Sequence, residues 1–416
     1  MGKQFENTYS LNPIVADNPG NEKKRRSIEE NQARTQAELP HRPSNIGYFE
    51  ELMYTHEHPK NGRARVGYFC NMVPHEIISA MGAQGVRLDC GNNASSVIGE
   101  EILSGEICPL AKASFGSFLR RDSLASTCDA LILPTSCDAK RKMGEVLNDF
   151  KPTFMFNLPP EQNHSVYSKQ SYAEVLRLVQ FLQKQLRARL SHRRLRDNVR
   201  LSQERTLVVR GLQKLRIEKP RSLAASDLLL ILQSSQFAPV HLREWLGEAR
   251  QVCDEAAAYT IERKSLRPRL VLTGAPMVWP NFKVLNLFDE SGADIVADTL
   301  CTGAQCFYDP VMHNERGEKA LLRALANRYV YASICPCFVS QTKRISRILE
   351  LVDKCKADGV VNYSLRLCQL FDIENYRIER ILKGRKVPYI NVRTDYSLED
   401  TEQLRVRIEA FLETIQ

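Results

Sequence analysis

Residues 129–147 read DALILPTSCDAKRKMGEVL. Ala130 to Pro134 form a continuous apolar run, the pattern of a strand buried on both faces. Thr135, Ser136 and Cys137 make a short connection, and residues 139–149 have the spacing of an amphipathic helix. A buried strand that leads through a tight loop into a helix is the unit of an α/β fold with a mostly parallel sheet. It also sets Cys137 beyond the carboxyl end of the strand, the edge where open α/β sheets bind ligands.

The same alternation extends outward. ARVGYF (64–69) and GVRLD (85–89) read as strands, separated by a helix in PHEIISAMGA (74–83). Pro74 falls in that helix's first turn, where a missing N–H costs nothing. EICPLAKASFGSF (106–118) sets Cys108 in a proline-marked turn before a short helix, and PTFMFNLP (152–159) supplies another strand. Further on, RLVLTGAP (269–276), ADIVAD (293–298), DGVVNY (358–363) and VPYINV (387–392) read as strands. Helices are expected over 282–292, 320–330, 340–357, 373–384 with Gly384 as C-cap, and 398–415.

Four segments follow from this pattern: an N-terminal arm over 1–60, a first α/β domain over 61–165, a helical region over 166–265 and a second α/β domain over 266–416. The second domain echoes the first in layout, without a sequence repeat strong enough to prove duplication. The arm is broken by Pro13, Pro19, Pro40, Pro43 and Pro59, with a helix expected between Ser27 and Glu38. It reads as a tail packed on the surface or on a partner. In the helical region Leu178, Leu182, Leu186 and Leu190 share one face. Thirteen Lys or Arg residues lie between Lys184 and Arg221 with no aromatic residue among them. A solvated helix face is favoured over a phosphate-binding or docking surface, and the aromatics that base stacking would want are missing.

A chain of 416 residues exceeds one ordinary core, and 43% hydrophobic with 26% charged residues is a globular composition. No apolar run approaches a membrane span, and Lys3, Glu6 and Asn7 leave no secretory apolar stretch near the start. The expected location is therefore the cytoplasm. Twelve cysteines there argue against a disulfide framework and leave metal binding, catalysis or burial. The net charge of +9 is mild for this length and fits nucleic acid, a phosphate-bearing ligand or simply a basic surface.

Cys108, Cys137 and Cys368 each precede an expected helix, and the last two also follow a strand. Helix N-termini favour thiolates and anionic ligands. Their spacing alone is weak, since there is no ferredoxin-type CxxC run and no repeated CxxC pair. Burial is the ordinary role of a free cysteine. Cys335 and Cys337, in SICPC, could be ligands, a redox pair or residues lining the same cleft. Cys70, Cys90, Cys128, Cys253, Cys301, Cys306 and Cys355 read as packing residues.

The chain resembles the D-component type subunits of 2-hydroxyacyl-CoA dehydratases, the related benzoyl-CoA reductase subunits and the double-cubane cluster proteins of that superfamily. The similar stretches run from about Tyr68 to Pro160 and from Leu270 to Glu413. They include VPHEIISAMGAQGVRL, GEICPLAKASFG, DALILPTSCDAKRKMGEVL, FNLPP, LTGAP, DGVVNYSLRLC, VPYINVRTDYS and RIEAFLE. The resemblance implies two flavodoxin-like or Rossmann-like domains with mostly parallel sheets plus a helical part. It implies that Cys108, Cys137 and Cys368 hold one 4Fe-4S cluster, or half of an 8Fe-9S double cubane. It further implies a homodimer or a heterodimer with a related subunit, an acyl-CoA as candidate substrate and a separate ATP-hydrolysing iron–sulfur activator as electron donor. The chain itself carries no GxxxxGK[ST] loop and no GxGxxG. Glu76 lies in a matching segment but gains no assigned role.

Overall fold

The structure is a computed structural model that describes residues 42–54, 62–120, 123–238, 240–260, 267–312, 317–340 and 342–415. Two four-stranded parallel sheets organise it. In the first, β1 (Arg65–Tyr68) lies between β2 (Gln84–Arg87) and β3 (Ala130–Pro134), with β4 (Thr153–Phe156) outside β3. In the second, β5 (Arg269–Gly274) lies between β6 (Asp294–Asp298) and β7 (Gly359–Leu365), with β8 (Tyr389–Thr394) outside β7. Numbered within each sheet, both orders are 2-1-3-4, the flavodoxin-like arrangement. Its switch point lies between the first and third strands, so the loops after β1 and β3, and after β5 and β7, border the binding crevice.

The central strands are buried along their length, which is why their sequences are runs rather than alternations. β7 nevertheless carries Asn362 and Ser364. Asn362 Nδ2 donates to Ser364 Oγ at 3.0 Å and to Asn391 Oδ1 of β8 at 3.0 Å, so the polar pair is satisfied inside the sheet.

Fifteen α-helices occur among the described residues. Four of them, His164–Leu186, His192–Glu218, Ala225–Phe237 and Leu242–Ala258, fill the expected helical region. Leu178 and Leu182 are buried as their spacing predicts. Two arginines of the basic stretch, Arg205 and Arg216, are buried rather than solvated. The described end of the expected arm is also core. Helix Ile46–Tyr54 packs Phe49 edge-on against Trp245 at 6.2 Å, and Arg42 pairs with Asp227 at 2.6 Å. The helix expected between Ser27 and Glu38 lies outside the described residues. None of the described helices is long and apolar enough to cross a membrane.

The sequence reading omitted helix Asn93–Gly99, which packs on helix Pro109–Leu119. A Cβ on Gly116 would stand 1.8 Å from the Ser95 carbonyl oxygen, so that approach requires glycine. Several bonds tie elements around the first sheet to elements around the second. Gly91 N–H donates to Trp279 O at 3.1 Å, Arg87 Nη1 to Cys301 O at 2.9 Å, and Tyr329 Oη to Glu76 Oε2 at 2.9 Å.

Candidate metal centre

Cys137 lies three residues beyond Pro134, the end of β3, and is the N-cap of helix Asp138–Phe150. Cys368 lies three residues beyond Leu365, the end of β7, and is the N-cap of helix Gln369–Gly384. The turn before Cys368 puts Leu367 at φ +60°, a left-handed conformation unfavourable for leucine. Cys108 is the N-cap of helix Pro109–Leu119, with Pro109 in the first turn, in the crossover from β2 to β3. All three expected cysteines thus occupy one kind of position. No thiol makes a close capping hydrogen bond. The helix amides act on the sulfurs electrostatically: those of Leu110 and Ala111 on Cys108, that of Lys140 on Cys137, and that of Phe371 on Cys368.

The fold sets the three, from two sheets, within electrostatic reach of one another. The neighbouring Cys368 thiol holds the Cys108 thiol below its ordinary value, against burial, and the neighbouring Cys108 thiol together with burial pushes Cys368 well up. Cys137 is within electrostatic reach of both. Burial pushes its thiol up, opposed by the Lys140 amide and ammonium. Among the described residues no three His, Cys, Asp or Glu side chains converge on one ion. A cubane asks for a different arrangement: each thiolate binds its own iron, which separates the sulfurs by roughly 6–7 Å.

The donors around these thiols are unusual. Tyr363 and Tyr396 are buried, and their hydroxyls have no hydrogen-bond partner among the described residues. Deeper in, Asp89 is held between Arg87 Nε at 2.6 Å and Lys140 Nζ at 3.0 Å. Burial alone would raise the Asp89 carboxyl, but the two cations outweigh it and hold the group well below the usual range. Sequence reasoning missed this triad, although charges inside the strand reading GVRLD were the available signal. A cavity of about 600 Å³ reaches Pro109 and Leu367, the neighbours of Cys108 and Cys368. Lys112, Arg366, Arg393 and Arg407 line it, with Glu100 and Asp395.

Cys335 and Cys337 lie between helices Glu318–Tyr331 and Thr342–Cys355. A hydrogen bond with Cys337, then burial, pushes the Cys335 thiol well above its ordinary value. It is within electrostatic reach of Cys137. Cys128 and Cys355 are buried in apolar clusters. Glu76 is buried and accepts from Tyr329, with His75 Nε2 at 3.8 Å from its carboxylate. Burial lowers the His75 pKa to about 4, so the imidazole there is neutral at ordinary pH. A separate cavity of about 620 Å³ lies at the β6 edge over Leu228, Leu272 and Ile295. Asp298 lines it, and burial pushes its carboxyl up to about 6 although Leu300 and Ala304 N–H groups donate to it.

Two parallel sheets of one topology, with thiols at helix starts just beyond their third strands, meet a known family. The chain belongs to the 2-hydroxyglutaryl-CoA dehydratase D-component family, whose model matches residues 70–415 and so includes all three cysteines. It is 30% identical over 365 residues to YjiM of Escherichia coli (strain K12), provisionally named a dehydratase subunit, covering 86% of this chain and 92% of YjiM. It is 20% identical to the β subunit of (R)-2-hydroxyglutaryl-CoA dehydratase of Acidaminococcus fermentans, covering 85% of this chain and 93% of that one. It is 22% identical to a benzoyl-CoA reductase subunit of Thauera aromatica, covering 85% of this chain and 91% of that one. The chain is accordingly an enzyme of the lyase or oxidoreductase class.

Proposed function

We propose that this chain is the iron–sulfur subunit of an ATP-dependent, low-potential dehydratase or reductase, with Cys108, Cys137 and Cys368 as the protein ligands of a 4Fe-4S cluster. The observation that supports this reading is that three cysteines from two sheets, each at a helix N-cap, lie within electrostatic reach of one another. The donor set fits such a group: helix amides lie near each of the three sulfurs, Cys108 is held below its ordinary value, and two buried hydroxyls nearby lack partners among the described residues. When bound, a cluster with three protein thiolates supplies one-electron chemistry and an iron open to a substrate oxygen as a Lewis acid.

The chain's own residues set the surroundings. Cys108 and Cys368 pack against the apolar cluster of the second sheet. The cavity beside Pro109 and Leu367 has four cations to two anions, so it suits an anionic substrate, and an acyl-CoA meets that description. The subunit names of the relatives favour a dimer with an equal or related subunit. The missing phosphate loop favours ATP hydrolysis by a separate iron–sulfur activator. A reducing cytoplasm suits twelve unpaired cysteines. Residues 61–165 and 266–416 then act as two α/β domains clamping the cluster between them.

Iron and acid-labile sulfide are measured on protein prepared without oxygen. About four irons per chain are expected, from a single cubane or half of a double one, and spectroscopy of the dimer separates the two. A colourless protein free of iron overturns the reading. The purified chain should hydrolyse no ATP, and activity that survives further purification would count against an external activator.

A further inference from the structure

Tyr363 and Tyr396 have no role in the reading above, and their hydroxyls are an anomaly in the fold. Tyr363 is fully buried in β7, five residues before Cys368, and Tyr396 is 2% exposed just beyond β8. Both rings belong to the apolar cluster against which Cys90, Cys108 and Cys368 pack. Tyr396 also lines the cavity that reaches Pro109 and Leu367. A hydroxyl taken out of water without a partner costs free energy that phenylalanine at the same place would not. Folded proteins seldom leave such a group unpaired, so two side by side next to three thiols ask for an acceptor that the described residues do not supply.

We propose that Tyr363 and Tyr396 are positioning residues whose hydroxyls donate hydrogen bonds to sulfur of the cluster on its Cys108 side. This rests on the cluster reading above. Burial keeps both phenols protonated, with Tyr363 further raised by the Cys108 and Cys368 thiols and Tyr396 by Tyr363 and Cys108. They are therefore donors at any working pH. Cluster sulfur, which carries negative charge, is the acceptor this place would offer beside Cys108. Hydrogen bonds to cluster sulfurs stabilise the reduced, more negative state and so raise its reduction potential. The two tyrosines would thus moderate a potential that an apolar, thiolate-only shell drives very low.

The test uses the full chain, prepared without oxygen, as wild type, Tyr363→Phe, Tyr396→Phe and the double variant. Iron per chain and the midpoint potential from a dye-mediated titration are read on each, and melting is followed on the iron-free proteins. Iron content is expected to stay at the wild-type level, while each variant shifts the midpoint to more negative values and the double variant shifts it furthest. Without iron, the variants should melt no lower than wild type, because the hydroxyls have nothing to bond there. Iron-loaded variants whose midpoints equal that of wild type overturn this proposal and leave the cluster standing. Iron-free variants that melt well below wild type overturn it too, since the hydroxyls would then serve the fold. A wild-type chain that takes up no iron overturns both readings.

Discussion

The two sheets share one strand order, and each places a cysteine three residues past its third strand, Cys137 after β3 and Cys368 after β7. Each also places one three residues past its second strand, Cys90 after β2 and Cys301 after β6. The crossovers that follow differ. In the first half the crossover delivers Cys108 at a helix N-cap, where the Cys368 thiol and the amides of Leu110 and Ala111 hold its thiol down. In the second half it delivers Cys335 and Cys337, and the Cys337 thiol with burial pushes Cys335 up. Equivalent topology therefore does not make equivalent surroundings: a helix start places several amides near a sulfur, whereas Cys335 and Cys337 lie in a connection between helices.

The sharpest way to break this comparison is to remove one thiol from each class. Cys108→Ala, Cys137→Ala and Cys368→Ala should each lose most of the bound iron, whereas Cys335→Ala should retain it. Iron analysis after anaerobic purification decides the matter, and full iron in Cys368→Ala removes that residue from the ligand set. Next in size is the charge at the first sheet's edge. Asp89→Ala leaves Arg87 and Lys140 buried without their shared carboxylate, and a loss of about 3–5 kcal/mol is expected in denaturant unfolding.

The contact between the halves comes third. A Cβ on Gly91 would stand 1.9 Å from Val278 O in the loop after β5, so Gly91→Ala should cost about 1–3 kcal/mol and loosen cluster binding with it. An unchanged midpoint in denaturant would mean that the loops separate freely.

The smallest effect contrasts two aspartates at corresponding sheet edges. The Asp89 pKa is depressed on folding, so its stabilisation is full above its ordinary value of 3.8 and is lost as pH falls below it. The Asp298 pKa is raised from 3.8 to about 6, so the folded chain binds the extra proton and stability falls as pH rises across that window. Asp298→Asn keeps an oxygen for the Leu300 and Ala304 amides. Because Asp298 lines an open cavity, water screens part of the shift. A gain of about 1 kcal/mol is expected at pH 7, shrinking to nothing near pH 4. Thermal melts of the two proteins across that range check it, and a gain that persists at pH 4 would reverse the sign argument.

The strands and long helices were legible because burial leaves a local signature. DALILP and DGVVNY are apolar runs that only a strand buried on both faces requires, and the helix expected over 340–357 is present as Thr342–Cys355. Helix Asn93–Gly99 was missed because NASSVIG has little apolar periodicity, and its place depends on the absent side chain of Gly116. Helix Ile46–Tyr54 was hidden in a proline-broken arm, and its partner Trp245 lies nearly two hundred residues away.

The cysteines divide in the same way. Sequence by itself put Cys108, Cys137 and Cys368 ahead of helices, since Pro109 and the apolar spacing that follows each cysteine are local features. Only the tertiary structure decided that Cys108 meets Cys368 across two sheets and that Tyr363 and Tyr396 are buried beside them without partners. Local pattern fixes which backbone amides stand over a sulfur. Which sulfurs share a space depends on how two sheets of equal topology face each other, and that is a sum of contacts between distant segments that no short window of sequence contains.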